Sequence, residues 1–148
     1  MKVNPSQLEE TYIHEVLKKT CEIKNREKRI EYLKNNAFKQ VKTVLQLCYN
    51  DKIQLDLPKG KPPFRGASDG HTASRLKNAF KTIKYCVVGD PTPRVKKEQI
   101  FIGILEGIHE EDALLLCAAK DGTISHHDNK TYSKITRSLV EACFPEIL

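Results

Sequence analysis

Apolar residues recur every three to four positions along most of this chain, and that spacing predicts helices. Leu8, Tyr12, Ile13, Val16, Leu17, Thr20 and Ile23 form the first stripe. Ser6 is placed to cap it, with Glu9 three residues on for a capping box, and Asn25 to end it. Residues 26–35 predict a short charged helix that buries little beyond Ile30, Tyr32 and Leu33. Residues 37–49 predict a third helix with Phe38, Val41, Val44, Leu45 and Cys48 inward, closed by Asn50 and Asp51. A fourth, 71–85, turns Ala73, Leu76, Ala79, Phe80 and Ile83 inward. Residues 94–97 lead into a helix over 99–108, with Ile100, Phe101, Ile104, Leu105 and Ile108 on one face. His109 to Asp112 reads as a turn and an acidic helix start, because free N–H groups there favour negative charge. Ala113 to Ala119 is apolar enough to be buried on most sides. A last helix resumes at Ile135, runs to Phe144 and is stopped by Pro145.

Two stretches break the periodicity. Residues 58–70 hold three prolines and three glycines in thirteen positions, so they predict a loop, wrapped over the surface or mobile, with Phe64 as its one anchor. Residues 120–134 are basic and rich in small and hydroxyl side chains. Ile53 to Leu57 alternates like a short strand, but the sequence offers it no partner. The expected architecture is therefore all-α: a single compact domain over 1–148, built from six to seven short helices.

Composition agrees with a soluble globular protein: 148 residues, 39% hydrophobic and 30% charged. The five cysteines, Cys21, Cys48, Cys86, Cys117 and Cys143, form no C-x-x-C pair and fall mostly on apolar helix faces. They read as reduced thiols of a cytosolic protein. No apolar run is long enough to span a bilayer, and the residues after Lys2 do not form a signal-peptide core.

Charge changes the picture more. Residues 58–97 contain ten Lys or Arg against only Asp69 and Asp90, a local charge of +8. The whole chain carries +6, which leaves −2 for the rest. A concentrated basic segment on a nearly neutral scaffold is the footprint of a polyanion binder, although mobile lysines on a solvated face give the same pattern. Arg75, Lys81, Lys84, Arg94, Lys96 and Lys97 are the candidate contacts in this segment. A second basic set, Lys120, Lys130, Lys134 and Arg137, surrounds Gly122, Thr131 and Ser133. With Thr131 or Ser133 as the cap of the last helix, its free N–H groups would face phosphate beside Lys130 and Lys134.

Signals for chemistry are weak by comparison. His109 to Ala113 is not H-E-x-x-H, because position 113 is Ala. His126, His127 and Asp128 offer donors for a metal, but a polar loop explains them as well. No Gly-rich phosphate loop precedes a helix. The expectation is a non-catalytic protein with neither cofactor nor metal.

Two resemblances bear on function. Residues 46–58, 99–108, 114–121 and 135–145 resemble a family of small uncharacterised proteins of T-even-type bacteriophages and marine cyanophages. That resemblance implies a phage origin and no activity. The layout also resembles the N-terminal helical DNA-binding domain of the DNA ligases of T-even-type phages. The features concerned are the charged helix 26–33, the helix ending at Tyr49, the small-residue segments 118–122 and 132–135, and the Cys143-Phe144-Pro145 closure. This resemblance implies a loop that approaches the duplex backbone from the minor-groove side, with Lys120, Gly122, Lys130, Ser133 and Lys134 on phosphate. Lys120, Asp121 and Gly122 lack the spacing of the nucleotidyltransferase K-x-D-G, so ligation is not implied. The expected partner is double-stranded DNA, met in the cytoplasm of an infected host cell during replication, repair or transcription. The alternative is a module that docks on a host or phage assembly such as a polymerase, a sliding clamp or the virion.

Overall fold

The computed structural model describes residues 12–65, 73–126 and 128–148, with the backbone alone at 73–75. Seven α-helices stand among these residues: α1 (Ile13–Glu22), α2 (Arg26–Asn36), α3 (Lys39–Tyr49), α4 (Ala73–Phe80), α5 (Arg94–Glu106), α6 (Glu110–Asp121) and α7 (Arg137–Cys143). Short 3-10 turns lie at Ile83–Cys86, Lys130–Tyr132 and Pro145–Ile147. The expected Ser6 and Glu9 capping box lies outside the described residues.

One hydrophobic core serves all seven helices. Its centre is α6, which buries Ala113, Leu115, Leu116, Cys117 and Ala119 and packs on α3, α5 and α1. Alpha3 contributes Val41, Val44, Leu45 and Leu47; α5 contributes Phe101, Ile104 and Leu105. The chain then closes on itself, with α2 lying on α1 and α7 on α2.

The ends of α6 show why a helix forms here. His109 Nδ1 accepts from the Glu111 N–H at 3.1 Å, and Glu110, Glu111 and Asp112 fill the first turn. At the far end Gly122 adopts φ +70°, where a side chain would be strained. Gly122 N–H donates to Ala119 O at 3.1 Å and Thr123 N–H to Ala118 O at 2.8 Å, a Schellman closure.

Several expected boundaries move. Asn25 does not end α1 but caps α2, accepting from Lys28 N–H at 3.0 Å. Alpha5 begins at Arg94 rather than 99, because Pro93 serves as its entry residue. The helix expected over 71–85 stops at Phe80, and residues 83–86 form a separate 3-10 turn. Thr136 caps α7, accepting from Leu139 N–H at 3.2 Å; Thr131 and Ser133 do not. The short extended piece finds a partner after all. Leu55 bridges Val87, with Asp56 N–H to Cys86 O and Val88 N–H to Gln54 O both at 2.8 Å.

One buried carboxylate ties the N-terminal and C-terminal halves together. Asp112 has no solvent exposure, and it accepts from Ile13 N–H at 3.2 Å and His14 N–H at 2.8 Å. Its Oδ1 also meets His14 Nδ1 at 2.7 Å. Tyr12, the residue that would ordinarily cap α1, offers no side-chain cap. Asp112 therefore caps α1 from across the fold while sitting in the first turn of α6, so one negative charge serves two helix N-termini. Asp112→Ala leaves those donors and His14 without their acceptor in the core. It is expected to cost about 3–5 kcal/mol in urea unfolding, with Asp112→Asn losing less; a variant within about 1 kcal/mol of wild type contradicts this reading.

Candidate nucleic-acid interface

The basic residues singled out by sequence divide into two groups. In the first, the charge faces inward. Lys97 is 2% exposed. Its Nζ lies 3.1 Å from Asp56 Oδ2 and 2.9 Å from Val87 O, so it fastens the 53–57 segment and the 83–88 turn to α5. Lys120 has a side chain only 3% exposed. Its ammonium donates to Pro58 O at 2.7 Å, Gly60 O at 3.0 Å and Asp121 Oδ1 at 2.7 Å, which uses all three of its hydrogens. Asp121 Oδ2 accepts from Gly60 N–H at 3.0 Å. The Pro-rich loop is thus strapped to the end of α6. Neither lysine is available to phosphate, and both expectations are corrected. Gly122 is corrected with them, because its N–H is committed to the helix closure.

The 122–137 loop is held as well. Tyr49 Oη donates to Ile135 O and meets Ser125 Oγ at 3.0 Å. Burial pushes the Tyr49 hydroxyl well above its ordinary range, which keeps it a donor. Arg137 donates from Nη1 to Tyr49 O at 2.6 Å and lies 3.9 Å from Asp51 Oδ2, so its charge is shared with the end of α3. Lys130, Thr131, Ser133 and Lys134 are exposed, but Ser133 Oγ donates to Lys130 O at 3.3 Å and no helix start opens between them. His126 and Asp128 face each other at 3.4 Å in solvent, and His127 lies outside the described residues.

The second group faces outward. Lys77 and Lys81 on and just after α4, Lys84 in the 3-10 turn, and Arg94 and Lys96 in the first turn of α5 are all exposed. The side chain of Arg75 lies outside the described residues. Alpha4, the turn and α5 pack against one another, so these charges ride on one hairpin-like unit. Only Asp90 opposes them within 77–96. Its carboxylate accepts from Thr92 N–H at 3.0 Å and from the Thr92 hydroxyl, and those bonds hold its pKa below the ordinary value. Arg94 is only loosely paired, with Nε 4.0 Å from Asp56 Oδ1. Tyr85, Val88 and Val95 also stand exposed on this unit, at 40%, 63% and 67%. Sequence reading missed all three. The one available signal was a valine placed directly before the Gly89-Asp90-Pro91 turn, where no partner helix face is called for.

The thiols are set by burial. It pushes Cys86 and Cys117 up to about 11 and raises Cys21, Cys48 and Cys143. Cys86 and Cys117 should carry about a hundredfold less thiolate at neutral pH than an ordinary cysteine. Titration with a disulfide reagent at pH 7.5 is therefore expected to proceed slowly on the native protein and rapidly after unfolding. A native thiol reacting at the unfolded rate would argue instead for an activated cysteine.

These features define a small all-helical protein with inward polar ties and one outward cationic unit. The chain belongs to a family of unknown function, DUF6433, whose model matches residues 16–126. No curated protein matches it, and no solved structure matches it. No helix among the described residues is long and apolar enough to cross a membrane.

Proposed function

We propose that this protein is a non-catalytic accessory factor that binds DNA through its phosphates, using the outward cations of α4, the 83–86 turn and the start of α5. One observation carries the reading: Lys77, Lys81, Lys84, Arg94 and Lys96 are all exposed within residues 77–96, where Asp90 is the one acid. Lys97 ties the 83–88 turn to α5 from beneath through Asp56 and Val87 O, so binding at that turn would order mainly side chains. The loop at 130–134 supplies two further cations without a helix start, and takes a secondary role. In the setting that the phage-family resemblance implies, the protein would act in the host cytoplasm during replication, repair or transcription.

A second reading is docking on an acidic face of a polymerase, a sliding clamp or a virion component. Val88 and Val95 favour it, because phosphate contacts leave exposed valines without a role.

Salt separates the two. Five phosphate contacts predict a slope of log K against log salt of about −4.5 for duplex DNA, measured by fluorescence anisotropy. Replacing Lys77, Lys81 and Lys84 together by Gln should flatten that slope by about 3 and weaken all sequences alike. Replacing Lys130 and Lys134 by Gln should change it by less than about 1. The reverse ranking would return the site to the 120–137 loop, and a wild-type slope near zero would remove DNA altogether.

A further inference from the structure

The cationic unit carries the one exposed Tyr or Phe ring among the described residues. Tyr12, Tyr32, Tyr49, Phe38 and Phe64 are half-buried, and the remaining Tyr and Phe rings are buried; Tyr85 alone is exposed. Its backbone is fixed, with Tyr85 N–H donating to Thr82 O at 3.1 Å inside the 3-10 turn. Lys84 Nζ sits 5.2 Å from the centre of its ring, and Lys81 lies one turn back.

An exposed ring in a positive field has a definite physical use. Phosphates satisfy the lysines but give the ring nothing. In an uninterrupted duplex the base faces are stacked on one another and closed to a side chain standing on a protein surface. A single strand presents both groups at once: phosphates along its backbone and free π-faces at each base. Val88 and Val95, exposed on the same unit, are suited to the apolar faces of the sugars beside them. A rigid turn also keeps the cost of ordering the tyrosine small.

We infer that Tyr85 is a base-stacking residue and that the nucleic acid this surface takes is one with unpaired bases, a single strand or the single-stranded part of a junction. The inference rests on the DNA-binding reading above and narrows its substrate.

The chain has no tryptophan and five tyrosines, so the part of the tyrosine emission that Tyr85→Phe removes reports on Tyr85. The wild-type protein is titrated with a twelve-residue oligothymidylate and, separately, with a twelve-base-pair duplex at matched salt. Oligothymidylate is expected to quench the emission and to bind at least as tightly as the duplex. Tyr85→Ala should weaken binding to the single strand about tenfold, leave the salt slope unchanged, and alter duplex binding less than twofold. Tyr85→Phe should bind as wild type does, since the ring and not the hydroxyl is required. Far-ultraviolet circular dichroism of both variants confirms that the fold is kept. Unquenched emission, or equal single-strand binding by wild type and Tyr85→Ala, with salt-dependent duplex binding retained, overturns this inference alone. It would assign Tyr85, Val88 and Val95 to an acidic protein partner. Loss of binding to both nucleic acids overturns the DNA reading as well.

Discussion

The fold depends on a carboxylate placed where two helix N-termini meet. Asp112 belongs to the first turn of α6, where its charge is welcome, and the same carboxylate receives the first free N–H groups of α1. A buried charge is costly unless every bond it can accept is filled. Asp112 accepts from two backbone donors and meets the ring of His14, all in the core. These contacts fix the start of α1 against the first turn of α6. Once α1 is fixed, α2 lies on it and α7 lies on α2, so the N-terminal helices and the C-terminal end are oriented by that one contact. Apolar burial supplies most of the stabilising free energy, and this contact adds a directional tie between α1 and α6.

The same economy governs the cations. Lys97 and Lys120 lie in basic stretches, yet each is turned inward: Lys97 onto Val87 O and Asp56, Lys120 with all three hydrogens on Pro58 O, Gly60 O and Asp121. They hold the segments at 53–60 against α5 and α6. Arg137 does similar work at the end of α3. What remains outside is a smaller set of charges on a braced scaffold. A surface braced in this way loses little entropy when it binds, which is why the unit at 77–96 is a better candidate than the basic loop at 120–134.

The helices were largely legible because the period of 3.6 is imposed by one core face in α1, α3 and α4, while α6 shows instead as a run of apolar residues buried on most sides. Boundaries were less so. Asn25 has the same chemistry whether it ends one helix or starts the next, and only the Lys28 N–H decides it. Thr131, Ser133 and Thr136 are all plausible caps, and the tie from Tyr49 to Ile135 O selects Thr136 by fixing where the loop ends. The inward lysines could not be read, because Asp56 for Lys97 and Pro58 and Gly60 for Lys120 lie some forty to sixty residues away in the chain. Exposure of Tyr85, Val88 and Val95 is likewise a property of packing: an apolar residue in a sequence looks the same on either side of a helix. The pairing of Leu55 with Val87 was hidden for the same reason, since each strand is a single bridge long.

The account turns on which basic surface meets nucleic acid. Backbone amide chemical shifts of the labelled protein, followed as a short oligonucleotide is added at low salt, test it most directly. The account predicts the largest shifts between 77 and 96, including Tyr85, with residues 130–134 moving little and the amides of Ile13 and His14 still held by Asp112. Shifts confined to 122–137, or none anywhere, would contradict it.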